Sequence, residues 1–339
     1  MVSMANVLSS ERRAQVVSCL VEGMSIRATV RVTGAAKNTI VKLLADLGSA
    51  SAEYQDGALT NLGCKVIECD EIWSFCYAKQ KNAPEQFKDT PGYGDVWTWT
   101  AIDADTKLVP SWLVGERTNR DCYAFRSDLR SRIKPGQRVQ ITTDGHKPYL
   151  TTVEPLFGAD RVDFAMLHKI YGNEAGDERR YSPAVCTGIE KRVITGKPDP
   201  ERISTSYVER HNLTMRMGLR RFTRLTNGFS KKVENLAHAV SLHYMHYNFC
   251  RPHQTLTKRY DTSTTPAMAA GVARYPWSVH QLVALLDTPA RSPSVESRTS
   301  SGGTSCDSIP RGWRGGSMRP AHRRIDTERP AETTPCLHR

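Results

Sequence analysis

Before residue 50, apolar positions recur at helical spacing in three short stretches. Ala14, Val17 and Val21 mark the first, which Ser9 or Ser10 can cap and Gly23 can end. Ile26 and Val30 mark the second, capped by Ser25 and stopped at Thr33-Gly34. Ile40, Leu43, Leu44 and Leu47 form an i, i+3, i+4, i+7 stripe in the third, which is expected to end at Gly48. A leading helix followed by two short helices around a glycine turn describes a helix-turn-helix. On this reading residues 1–55 are a small all-α DNA-binding domain. Lys37, Asn38, Thr39 and Lys42 then sit at the exposed start of its recognition helix, where base and phosphate contacts are made. A three-helix bundle serving only packing or dimerisation fits the same pattern.

From 56 to 286 the pattern changes to α/β. Cys64 to Asp70 is a strand running into Glu71-Ile72-Trp73-Ser74-Phe75, and a polar stretch with Pro84, Pro91, Gly92 and Gly94 follows as a loop. Val96–Ile102 and Leu108–Val114 flank Asp103-Ala104-Asp105-Thr106-Lys107 and predict a β-hairpin. Asn119 to Ile133 has helical spacing up to the Pro135-Gly136 break, and Arg138 to Asp144 and Val162 to Leu167 are further strands. Periodicity dissolves between about 172 and 205, which predicts an irregular insertion. Helices return from Ser206 to about Leu225 and from Val233 to about Phe249. This order is that of a ribonuclease H-like fold, a mixed sheet flanked by helices.

Composition adds three constraints. No apolar run approaches the roughly 20 residues that span a bilayer, and the N-terminus lacks a secretory pattern, so a cytoplasmic protein without a membrane partner is expected. Nine scattered cysteines with no C-x-x-C spacing argue against a disulfide framework or structural zinc. The net charge of +12 favours a polyanionic partner, and it is concentrated: Tyr207 to Tyr260 carries ten Lys or Arg against Glu209 and Glu234. Residues 287–339 hold nine Arg, no Lys and no apolar period, which predicts a disordered Arg/Ser/Pro-rich tail.

The strand order places Asp70 on the first strand, Asp144 at the end of the fourth and Glu209 on a later helix. Three such carboxylates suit phosphodiester chemistry. In-line attack builds charge on the entering and leaving oxygens, and two divalent ions about 3.5–4 Å apart stabilise both. Mg²⁺ and Mn²⁺ take oxygen ligands of this kind. Each acid also has a plainer explanation. Asp144-Gly145 is a common turn, and Ser206-x-x-Glu209 matches a helix capping box. An acid inside an apolar strand such as Asp70 is costly unless paired or metal-bound. Strand alternation puts Glu68 on the Asp70 side and Glu71 on the other. Asn212, Arg216 and Arg220 follow Glu209 at near-helical spacing, with Arg210, Arg221 and Arg224 close by and Lys231-Lys232 beyond. These are the expected DNA-binding residues. His146, His211 and His253 are weaker candidates for phosphate, DNA or metal contact, and Trp97 and Trp99 read as core.

The segments Val66-Ile67-Glu68-Cys69-Asp70-Glu71-Ile72-Trp73-Ser74-Phe75, Thr143-Asp144-Gly145 and Tyr207-Val208-Glu209-Arg210-His211-Asn212 resemble bacterial insertion-element transposases of the DDE type. Similarity is greatest to the insertion-sequence-one group. Tyr247 to His253, Leu256 and Thr265-Pro266 resemble the segment that closes many transposase cores. The resemblance covers about residues 60 to 270. It implies a ribonuclease H-like core, Mg²⁺ or Mn²⁺, cleavage at terminal inverted repeats of double-stranded DNA, strand transfer into target DNA and a homo-oligomer on DNA. It assigns Asp70, Asp144 and Glu209 as the acidic triad. The 65 residues from Asp144 to Glu209 (209 − 144) are long for the group and place the insertion between them. A ribonuclease H-like nuclease without joining activity and an inactive, transposase-derived DNA-binding protein share most of these features.

Overall fold

A computed structural model describes residues 8–88, 90, 92–171, 186–223 and 226–287. Residues 288–339 of the expected tail, residues 172–185 at the start of the expected insertion and Arg224 lie outside the described residues.

Six strands form one mixed sheet: β1 (Val66–Cys76), β2 (Gly94–Asp103), β3 (Ser111–Gly115), β4 (Val139–Thr143), β5 (Val162–Tyr171) and β6 (Cys186–Thr195). Their order is β3-β2-β1-β4-β5-β6. β1 pairs with β4, and β4 with β5, in parallel; the remaining neighbours are antiparallel. The expected hairpin is β2–β3, closed where Asp103 Oδ2 accepts from the Thr106 amide and hydroxyl. Helices α4 (Asn119–Arg132) and α5 (Pro148–Phe157) flank one face of the sheet, and α6 (Ser206–Gly218) and α7 (Val233–Met245) the other. Alternation along β1 shows the division. Cys69 meets Arg126 of α4, whereas Glu68 and Asp70 meet α6. The architecture is thus α/β with a mixed sheet between helices, compatible with a ribonuclease H-like fold. No helix among the described residues is long and apolar enough to cross a membrane.

Four elements differ from expectation. Cys186–Thr195 lies inside the stretch expected to be irregular, yet it is a strand antiparallel to β5. Its residues are exposed on both faces, so no apolar alternation marks it in the sequence. The helix at Ser206 stops at Gly218, and the one at Val233 gives way to a π-turn at His246–Cys250. Helix α5 begins at Pro148 as a helix-starting proline and fills the connection between β4 and β5.

The N-terminal segment has the three helices read from its stripes: α1 (Ser10–Val21), α2 (Ile26–Thr33) and α3 (Lys37–Ala58). Ser9 and Ser25 cap the first two, and Gly34 closes the second with φ 70°. But α3 runs ten residues past Gly48 (58 − 48), and the expected boundary at 55/56 falls inside it. Ile40, Leu44 and Leu47 belong to the same buried cluster as the sheet and α7, so these helices share one core with the rest. Gly48 marks a crossing rather than an end. A Cβ there would lie 2.6 Å from both Cβ and the carbonyl oxygen of His238 on α7. Ser241 donates to the Gly48 carbonyl at 2.7 Å, and Gln55 reaches Ser241 across the same seam.

Two glycines of one helix therefore give opposite expectations. Gly48→Ala gains about 1 kcal/mol of helix propensity but forces α3 off α7, for a net loss of about 1–3 kcal/mol. Gly57, with nothing within 4 Å of its ideal Cβ, should show only the gain when replaced by alanine. Chemical denaturation of both variants checks this; equal effects would mean α3 and α7 are not in close contact.

Candidate metal centre

Parallel pairing of β1 with β4 ends at Cys69↔Thr143. Asp70 and Asp144 are the next residue on each strand, so the register itself brings them to one level. Asp144 Oδ1 accepts from the His146 amide at 3.0 Å, so the Asp-Gly turn and the site carboxylate are the same residue. Glu71 projects to the α4/α5 side, as alternation predicts, yet its carboxylate still reaches the pair. One oxygen from each of Asp70, Glu71 and Asp144 lies within 4.8 Å of the others, the one acidic or mixed metal-ligand cluster among the described residues.

Helix α6 approaches from the other face. Asn212 donates to Asp70 Oδ2 at 2.7 Å, and the other Asp70 oxygen accepts from the Glu71 amide at 2.8 Å. Glu209 lies one turn before Asn212, outside the tight cluster. Its carboxylate accepts from Thr205 at 2.7 Å and pairs with Lys169 of β5. It does not close a capping box. The helix start is instead capped from the sheet: Glu68 Oε2 accepts from the Tyr207 and Val208 amides at 2.8 and 3.0 Å. Burial pushes Glu68 up to about 7 in spite of these bonds.

The cluster is electrostatically strained. Burial raises Asp70 to about 6, with the charges of Asp144 and Glu209 adding to the rise. Burial, then Asp144, raises Glu71 to about 8. Glu71 Oε1 and the Tyr149 hydroxyl are buried without a partner at hydrogen-bonding geometry. Only Arg117, from the β3–α4 connection, offsets the charge directly. It contacts Glu71 Oε2 at 3.1–3.2 Å and Asp144 Oδ2 at 3.8 Å, with its guanidinium 4.8 Å above the Trp97 ring. Converging hard oxygens and raised carboxylate pKa values fit a bound metal cation.

The expected DNA-binding residues divide. Arg210, Arg220, Lys231, Lys232, Lys37, Asn38 and Lys42 are exposed, Lys42 in an ion pair with Asp46; Arg216 and Thr39 are partly buried. Arg221 turns inward, where its Nε donates to Ser230 at 2.7 Å and burial lowers its pKa to about 10. Asn212 is buried against Asp70 rather than presented outward. His211 packs between Tyr244 and Tyr247 in the core, and burial lowers it to about 3. Trp99 is core, as expected, and Trp97 is half-buried beneath Arg117. Sequence reasoning missed Glu71 as a cluster member and Arg117 altogether. The Asp-Glu adjacency was a signal for the first; no local pattern marks the second. No family model and no curated protein matches the chain.

The pKa values set a pH test. Asp70 and Glu71 bind protons more tightly folded than unfolded, so their stabilising contribution is complete at low pH. It is lost as pH rises through about 6 and about 8. Metal-free protein should melt at falling temperature from about pH 5 to about pH 8, with Mg²⁺ or Mn²⁺ restoring the loss most at the upper end. Asp70→Asn should flatten the profile and remove the response to metal. Identical melting of the native protein with and without metal across this range would rule out the cluster as a cation site.

Proposed function

We propose that the chain is a transposase that uses divalent ions to cleave DNA at element ends and transfer the freed strand into target DNA. One observation carries this reading: Asp70 stands between Asp144 at the end of β4 and the Glu209–Asn212 turn of α6. Acids far apart in sequence are thereby brought toward one place, and Arg210, Arg220, Lys231 and Lys232 are exposed cations from which a DNA-binding face could be built. A divalent ion at Asp70 and Asp144 would supply Lewis-acid stabilisation of charge on phosphate oxygens, and Glu209 would complete a second site. The chain's own cations do the rest. Arg117 is held flat by Trp97 and Glu71, so its remaining N–H groups can bind a non-bridging phosphate oxygen with little loss of side-chain freedom. Lys169 fixes the Glu209 carboxylate from β5, and Glu68 fixes the helix carrying it.

Labelled candidate terminal repeats incubated with protein and Mg²⁺ should yield nicked ends and joined products. Asp70→Ala, Asp144→Ala and Glu209→Gln should each reduce both to background while retaining DNA binding. Nicking without joining would favour a ribonuclease H-like nuclease, and binding without either an inactive DNA-binding protein. Retained cleavage in Glu209→Gln would move the third acid elsewhere.

Salt dependence tests the DNA face. Replacing Arg210 and Arg220 with alanine should reduce the log–log slope of affinity against salt by about 0.9 for each phosphate no longer neutralised. Arg221→Ala, by contrast, should lower stability and leave the slope in place. A slope change confined to Arg221→Ala would reverse the assignment of these side chains.

A further inference from the structure

We propose that β6 is a self-pairing edge through which two copies of this chain join antiparallel, strand to strand, before any DNA is bound. β6 ends the sheet, and among the described residues nothing pairs with its outer side. Such an edge presents a row of open N–H and C=O groups, and proteins usually blunt it by shortness, proline, bulges or charged side chains, of which β6 has the Glu190-Lys191-Arg192 charges and a register shift at either end. Here ten residues remain open, without proline, and Ile189 and Val193 stand 58% and 54% exposed.

The side chains of this edge are complementary to themselves. Between Gly188 and Val193 the strand is regular against β5, with register shifts on either side. A two-fold axis through Lys191 sets Ile189 opposite Val193 of the second copy and Glu190 opposite Arg192, each pair occurring twice. Opposite residues in an antiparallel pair share a face. The apolar pairs therefore lie on one face of the joined sheet and the ion pairs on the other. Glu190 and Arg192 are exposed and make no ion pair among the described residues. The single like-charge contact, Lys191 with itself, opposes association against four favourable contacts, and its ammonium is held by the Pro200 carbonyl at 2.6 Å. Sliding the register by one residue loses this match in either direction. One slide sets Ile189 against Arg192; the other sets Lys191 against Arg192. Only the Lys191-centred register satisfies both the apolar and the charged positions.

The test is a charge exchange on the full-length chain without DNA, read by light scattering or sedimentation across a concentration series. The native chain should be a dimer. Glu190→Arg or Arg192→Glu places like charges opposite each other twice and should weaken association by about tenfold or more. The double exchange Glu190→Arg with Arg192→Glu restores opposite pairing and should restore the dimer, which a folding defect in either single variant would not do. Hydrogen exchange should show the amides of 188–193 protected with rising concentration in the native and doubly exchanged chains only. A native chain that stays monomeric, or a dimer indifferent to the single reversals, overturns the proposal. None of these readouts depends on DNA cleavage.

Discussion

Where β4 stops pairing, after Thr143, β1 continues for seven more residues, from Asp70 to Cys76. A parallel neighbour that ends early leaves a notch in the sheet, and the backbone beside it turns away as the Asp144-Gly145-His146 turn. Side chains on either face of β1 can then reach around the strand into the same space. That is how Asp70, facing α6, and Glu71, facing α4 and α5, come to share a cluster with Asp144. Shift the β1–β4 register by one residue and the two aspartates no longer meet, because every side chain changes face.

Gathering acids in this way is unfavourable in itself. Burial raises Asp70 and Glu71, and Asp144 raises both further. The fold offsets part of that cost with groups brought in from separate elements: the Arg117 guanidinium between β3 and α4, the neutral Asn212 N–H donor on α6 and, beside the cluster, Lys169 on β5, which pairs with Glu209. None of these comes from β1 or β4. The site is therefore assembled by tertiary packing.

Much of this was legible in the chain. Asp70 could be read because an acid inside an apolar strand needs a physical reason, and Asp144, an ordinary turn residue on its own, gained weight from the strand that runs into it and from Asp70. The β2–β3 hairpin followed from two runs rich in Val, Trp and Thr around a turn segment, and the mixed sheet from the order of strands and helices. What escaped was held in place by distant partners. Gly48 read as a helix end because glycine is a poor helix former, but at this position it permits backbone contact with α7. β6 had no signature because both its faces are polar or exposed. Arg117 is one arginine among many until Trp97 and Glu71 are seen on either side of it.

The run Glu68-Cys69-Asp70-Glu71 shows how far the alternation of a single strand can separate roles. Glu68 ends on the first amides of α6, where the helix dipole favours negative charge, and so fixes the height of that helix against the sheet. Cys69 packs under Arg126 on the opposite face. Asp70 meets the same helix one turn further along, at Asn212, so the Glu68 cap and the Asp70 contact set two points on one rigid body. Two points fix both the rise and the rotation of α6, and with them the position of Glu209 between Thr205 and Lys169. A capping box from Ser206 and Glu209 would have tied off the same helix locally. Capping it from the strand instead leaves the Glu209 carboxylate to pair with Thr205 and Lys169 and makes the helix start depend on the strand that carries Asp70.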